Sequence, residues 1–220
     1  MGQGVVIQTI IFDWDGTLVR SLDLWIDGYL AAFARRDLTY SPDDIVAEFF
    51  HEHHLVAGRH PHLDFPAIAD EARAHVRAKA SRVALYDGAV ETLAGLAAQG
   101  ITLALVSSSP GRVLEIGLGA HGLGGRFASV LAGDDGFGHK PDALPFVETL
   151  RRLGAQAGTT LVVGDSHVDI LAGQAAGCRT CLFAPAENRL FHDHARLRRM
   201  GVDHDIAKLP DILHHTAARG

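Results

Sequence analysis

The sequence predicts an α/β protein built on a doubly wound parallel sheet and interrupted once by an all-helical insertion. Three observations lead there. Short apolar runs rich in β-branched residues alternate with ten-residue helical patterns. A glycine follows each of those helical patterns. One long stretch, from about Arg20 to about Leu85, carries helical periodicity and no convincing strand.

The strand candidates are Val5–Phe12, Ile101–Val106, Ser129–Ala132, Thr160–Val163 and Arg179–Phe183. Unbroken apolar runs of this kind suit strands covered on both faces. The helical patterns between them are Ala89–Ala98, Arg112–Ala120, Ala143–Leu153 and Val168–Ala176, followed by Gly100, Gly122, Gly154 and Gly177. Inside the insertion, Leu22–Arg36 places Leu22, Trp25, Ile26, Tyr29, Leu30 and Phe33 at helical spacing. Ser41-Pro42 marks a helix start, with Ser41 as N-cap and Pro42 at the first helical position. Ala67–Val83 reads as a third helix. The organisation expected is a core of residues 1–19 and 86–220, with 20–85 as a separate helical cap hinged near Leu18–Arg20 and Leu85–Gly88.

Composition narrows the function classes. The 220 residues carry a net charge of -6 and no basic run longer than a pair, so nucleic acid is not an expected partner. No stretch approaches the ~20 apolar residues of a membrane span, and the N-terminus shows no signal-type pattern, so the expected location is the cytoplasm. The two cysteines, Cys178 and Cys181, have the spacing of a redox or metal pair but fall where a strand follows a helix. There they read as small core residues.

In open parallel sheets, ligands bind beyond the carboxyl ends of the strands. Polar groups gather after four of the runs: Asp13-Trp14-Asp15-Gly16-Thr17, then Ser107-Ser108-Ser109-Pro110, then Asp134, Asp135 and Lys140-Pro141-Asp142, then Gly164-Asp165-Ser166-His167-Val168-Asp169. Each piece alone has a bland explanation as a turn, a helix cap or a loop. Their conjunction in this order, each at a strand end, points to one site. Lys140 is one of only three lysines, with Lys79 and Lys208.

These four pieces resemble the motifs of the haloacid dehalogenase (HAD) superfamily. Phe12-Asp13-Trp14-Asp15-Gly16-Thr17-Leu18-Val19 resembles the first, Val106-Ser107-Ser108 the second, Lys140-Pro141 the third and Gly164-Asp165 through Asp169 the fourth. The position of the helical insertion is similar to that of the cap in the phosphoglycolate phosphatase and β-phosphoglucomutase branch. The resemblance covers nearly the whole chain. It implies a Rossmann-like, HAD-like core and a phosphatase acting on a small phosphorylated metabolite, as a monomer or homodimer, with Mg2+ as cofactor. Ser108 stands where many relatives have Asn, and Ser109 where a basic residue is common, which leaves the substrate contacts open.

The residue types suit phosphoryl transfer. A carboxylate is a competent nucleophile toward phosphorus, and the resemblance makes Asp13 the residue that forms an aspartyl-phosphate. Asp15 would protonate the leaving oxygen and then activate water. Lys140 would neutralise the phosphoryl oxygens. Ser107, with backbone N–H groups at Trp14 and Ser108, would hold the phosphate, and Thr17 belongs to the same set. Asp13, Asp165 and the carbonyl of Asp15 would supply hard oxygen ligands to magnesium. Asp169, one helical turn past Asp165, would reach the same site as a metal-water or lysine partner, and Ser166 is a further candidate for the metal shell.

Other readings share the pattern. A phosphomutase uses the same carboxylates and differs in how the cap excludes water. A dehalogenase lacks the second carboxylate of the first motif, which Asp15 supplies here. A phosphonate hydrolase needs a cap lysine, and Lys79 lies in an ordinary amphipathic pattern. A catalytically silent phosphometabolite-binding protein has no need of both Asp13 and Asp15. Finally, His51, His53, His54, His60 and His62 form a tract inside the insertion. It reads as a solvated loop, a metal site or a lid whose imidazoles contact an anionic substrate.

Overall fold

The computed structural model describes residues 5–50 and 53–216. Its order begins with β1 (Thr9–Phe12), followed by α1 (Leu22–Ala34), α2 (Pro42–Ile45), α3 (His53–Arg59) and α4 (Phe65–Lys79). Then come α5 (Ala89–Ala98), β2 (Thr102–Val106), α6 (Gly111–Ala120), β3 (Ser129–Leu131), α7 (Leu144–Leu153) and β4 (Thr160–Gly164). The chain continues with α8 (His167–Ala175), β5 (Arg179–Phe183), α9 (His194–Arg198), β6 (His204–Ile206) and α10 (Ile212–Thr216). The sheet order is β3-β2-β1-β4-β5-β6, and every pairing is parallel. This is the doubly wound, Rossmann-like α/β fold expected from the sequence.

β1 lies at the centre, and its residues alternate between two cores. Ile10 and Phe12 pack with Leu93, Leu96 and Leu105 on one face. Ile11 packs with Val106, Phe146 and Val162 on the other. Burial on both faces is why the strand reads as an unbroken apolar run. The strand is shorter than its sequence suggests. Val5 and Val6 are exposed, because the registered pairs with β2 and β4 begin at Thr9. The four helix-following glycines all have positive φ, as their positions require. Both cysteines are free and buried.

The edge strand β6 has no counterpart in the sequence reading. His204-Asp205-Ile206 pairs with β5, but three residues, two of them polar, leave no periodic signal.

The helical stretch forms its own apolar cluster around Tyr29, Phe33, Phe49, Phe65 and Ile68. The Phe33 and Phe49 rings lie 4.7 Å apart. Gly28 lets α1 approach α4, since a Cβ there would meet the Ala72 backbone at 3.1 Å. Ser41 caps α2 in a capping box with Asp44, as its sequence implies. The last helix of the stretch starts at Phe65 rather than Ala67, because Asp64 accepts the Ala67 N–H and fixes the start there. Of the histidine tract, His51 lies outside the described residues, and His53 and His54 fall in α3.

Candidate active site

β1 ends at Phe12, and Asp13 follows it. The Asp13 N–H still bonds the Val163 carbonyl at 2.9 Å, so the sheet ladder fixes this residue. The chain then turns sharply, with the Thr17, Leu18 and Val19 N–H groups all directed to the Trp14 carbonyl. Gly16, at φ +77°, is the residue that permits the turn. A Cβ there would fall 2.1 Å from Oδ2 of Asp165, so the position also requires the absence of a side chain.

Asp165 follows β4, and Ser166 caps α8. The Ser166 hydroxyl donates to Oδ2 of Asp169 at 2.6 Å, and the same oxygen accepts the Ser166 N–H at 3.2 Å in a capping box. Those bonds leave Oδ1 of Asp169 to accept from Lys140 Nζ at 2.6 Å. Lys140 also donates to Oδ1 of Asp13 at 2.5 Å. Asp13, Asp165 and Asp169 each offer a carboxylate oxygen, and these atoms lie within 4.8 Å of one another.

All three carboxylates are buried. Burial pushes the Asp13 pKa well above its ordinary value; Lys140 opposes the shift, while Asp169 and Asp165 add to it. Burial also raises Asp165, against the pull of His192. For Lys140, burial would lower the pKa, but Asp13 and Asp169 outweigh it and hold the ammonium charged. Three buried carboxylates against one lysine leave an excess of negative charge on hard oxygen donors. That donor set fits a divalent cation such as magnesium.

Asp15 lies apart from this triad. Its Oδ1 accepts from the Ser21 hydroxyl at 2.5 Å and the Trp25 indole at 3.0 Å. Its Oδ2 accepts from the Ser109 hydroxyl at 2.6 Å. The carboxylate is therefore turned from the cation donors, and the expectation of a magnesium contact at Asp15 rests on its carbonyl alone.

A cavity of about 640 Å3 joins these groups. Asp13, Asp15, Lys140, Asp165 and Asp169 line it with Ser107, Ser108 and Ser166. Trp25, Tyr29, Phe50 and Arg73 face it from the helical stretch. Two expected phosphate-binding residues do not line it. The Trp14 side chain is buried in the core against Gly117, leaving only its backbone for such a role. Thr17 is fully buried, with its hydroxyl unpartnered among the described residues. Its place in the tight turn sends the side chain inward.

Beyond Lys140 and Ser166, the carboxylates are held by residues to which the sequence reading gave no such role. Ser21, Trp25 and Ser109 surround Asp15. Asn188 and His192 both contact Oδ2 of Asp165, at 3.0 and 2.9 Å. Those two follow β5, a fifth strand whose carboxyl end also faces the site, so the strand-end rule points to them.

The family model for haloacid dehalogenase-like hydrolases matches residues 10–183. The chain belongs to that family. Among its relatives, the pyrophosphatase PpaX of Halalkalibacterium halodurans is 30% identical over 223 residues, covering 94% of this chain and 95% of that one. A phosphoglycolate phosphatase of Rhodospirillum rubrum is 30% identical over 220 residues, with coverage of 94% and 90%. This HAD hydrolase is of the phosphatase class to which those relatives belong. Its fold matches the structure of a predicted phosphoglycolate phosphatase from Haemophilus somnus, with TM-score 0.80, 24% identity and coverage of 99% and 100%. It also matches CbbY from Rhodobacter sphaeroides in complex with phosphate, with TM-score 0.79, 20% identity and coverage of 94% and 96%. Among the described residues, no helix is long and apolar enough to cross a membrane.

Proposed function

We propose that this HAD phosphatase is a magnesium-dependent phosphomonoester hydrolase that works on a small phosphorylated metabolite through an aspartyl-phosphate on Asp13. The observation that carries the reading is the division of carboxylates around one cavity. Asp13 stands in a triad with Asp165 and Asp169, while Asp15 faces the same cavity held by separate hydrogen bonds.

In this reading a carboxylate oxygen of Asp13 attacks phosphorus, and the bond from phosphorus to the ester oxygen breaks. Asp15 gives that oxygen its proton. Lys140, the Ser107 hydroxyl and the Ser108 N–H hold the phosphoryl oxygens. In the second half Asp15 takes a proton from water, the water oxygen attacks phosphorus, and Asp13 leaves as a carboxylate with release of inorganic phosphate. Magnesium, held by Asp13, Asp165 and the Asp15 carbonyl with Asp169 nearby, would screen the phosphoryl charge from the carboxylates. Residues 20–85 act as a cap over the core of 1–19 and 86–220, with Trp25, Tyr29, Phe50 and Arg73 meeting the substrate's remainder.

The names of the relatives make phosphoglycolate and pyrophosphate the first compounds to assay, beside a generic aryl phosphate. Phosphate release should need magnesium, and Asp13→Asn should lower turnover by more than a thousandfold while the circular dichroism stays that of the parent. Turnover within tenfold of the parent would remove Asp13 from the nucleophile's role. Full activity after exhaustive chelation would remove the metal.

A further inference from the structure

The three carboxylates of the triad are not held alike. Lys140 grips Asp13 and Asp169, but among the described residues it forms no ion pair with Asp165. The segment after β5 supplies what Asp165 lacks. Asn188 Nδ2 donates to Oδ2 of Asp165 at 3.0 Å and to the Gly16 carbonyl at 2.9 Å. The same Asn188 accepts at Oδ1 from the Tyr86 hydroxyl at 2.5 Å, so the amide is fixed from both ends. His192 Nε2 lies 2.9 Å from the same Asp165 oxygen. A carboxylate only accepts, so Nε2 carries the proton. Both donors therefore meet on Oδ2, and among the described residues Oδ1 of Asp165 accepts no hydrogen bond.

Between these two residues the chain touches the helical stretch. Phe191 is buried in the helical cluster, its ring 5.6 Å from Phe50, a residue that lines the cavity. Glu187, one residue before Asn188, pairs with Arg20 at 2.6 Å. Asn188 and His192 are themselves buried. A buried polar pair converging on one oxygen of a metal-ligating carboxylate is the arrangement that orients a ligand and leaves its other oxygen for the cation.

We propose that Asn188 and His192 are positioning residues that aim the Asp165 carboxylate at the divalent cation, and that Phe191 anchors them by seating their segment in the helical cluster. This rests on the reading of Asp165 as a magnesium ligand. Removing a residue that orients a metal ligand weakens metal affinity by about 10–100-fold.

The experiment measures magnesium binding to the intact protein without substrate, by calorimetric titration, with Mn2+ binding followed by paramagnetic resonance. Asn188→Ala and His192→Leu, which remove the donors, should each weaken binding by about 10–100-fold. His192→Gln keeps an N–H donor and should stay within about threefold of the parent. Phe191→Ala should weaken binding although it removes no polar group from the site. Thermal unfolding of each variant separates lost affinity from lost fold, and the His192 pair, similar in size, isolates the donor. If His192→Leu and His192→Gln bind magnesium equally, the positioning role is overturned. Parental affinity in Phe191→Ala overturns the anchor. A parent protein that binds neither cation overturns the magnesium reading itself, a result distinct from unaffected variants of a parent that binds.

Discussion

The indole N–H of Trp25 donates to Oδ1 of Asp15 across 3.0 Å. A side chain of the first helix in the insertion thus touches the carboxylate assigned to proton transfer. Trp25→Phe keeps most of the packing and removes the donor. A typical hydrogen bond is worth about 0.5–1.5 kcal/mol, so kcat on an alkyl phosphate should fall by up to about tenfold. An aryl phosphate with a good leaving group needs little protonation, and its phosphorylation step should slow less. A rate comparison across leaving groups checks this. Equal loss for every ester would mean that Trp25 supports the fold and not Asp15.

Lys140 is buried between Asp13 and Asp169. Replacing it with Met keeps the stem and deletes the charge, leaving the buried carboxylates facing one another without their counter-charge. Breaking a buried pair from one side costs about 3–5 kcal/mol. For a chain of this size that corresponds to a fall of roughly 10 °C in Tm. Turnover should be lost along with it, since Lys140 pairs with Asp13 and is proposed to hold the phosphoryl oxygens. A thermal melt unchanged from the parent would show that the pair contributes no net stability.

Much of this site was legible because its parts are local in sequence. Asp13, Ser107 and Asp165 each directly follow a strand, and Lys140 lies in the loop after β3; the strands announce themselves by β-branched apolar runs. Asp169 follows from Asp165 by one helical turn. Which carboxylate each surrounding residue meets was not legible. Ser109 meets Asp15 across 94 residues of chain, and His192 meets Asp165 across 27. Contacts of that kind depend on how the layers pack, and no periodicity records them. Thr17 shows the converse: it belongs to the first motif, yet the turn at Gly16 that presents Asp15 to the cavity sends Thr17 into the core.

Glu148 on α7 gives a pH prediction away from the active site. Its carboxylate accepts from Arg151 at 2.7 and 2.9 Å and from Arg152 at 2.9 Å. These bonds lower its pKa from 4.5 to about 2. A carboxylate with a depressed folded pKa contributes stability above its unfolded value, and that contribution fades as pH falls from about 4.5 through about 2. Glu148→Gln should therefore lose less stability than the parent across that window, with the difference shrinking at high salt. Parallel acid-unfolding curves for the two proteins would contradict the pairing.

The histidine tract supplies the last prediction. His60 packs against Phe49 with the rings tilted and their centroids 4.8 Å apart, and its Nε2 lies 3.4 Å from the Glu48 carboxylate. The His62 ring lies 6.0 Å from that of His60. Neither residue lines the cavity, where the helical stretch instead presents Leu22, Trp25, Tyr29, Phe50 and Arg73. A lid that recognises the substrate would have to place its imidazoles there, so the lid is disfavoured for both: His62 is exposed, as in a solvated loop, while His60 packs half-buried on Phe49. The weak His60–Glu48 pair is partly exposed, and pairs of that kind contribute at most about 1 kcal/mol. Replacing His60 and His62 together with Gln should leave kcat/KM within about twofold for both an alkyl and an aryl phosphate, and should change stability by less than about 1 kcal/mol. A selective fall for the alkyl phosphate, with the aryl ester unchanged, would restore the lid reading.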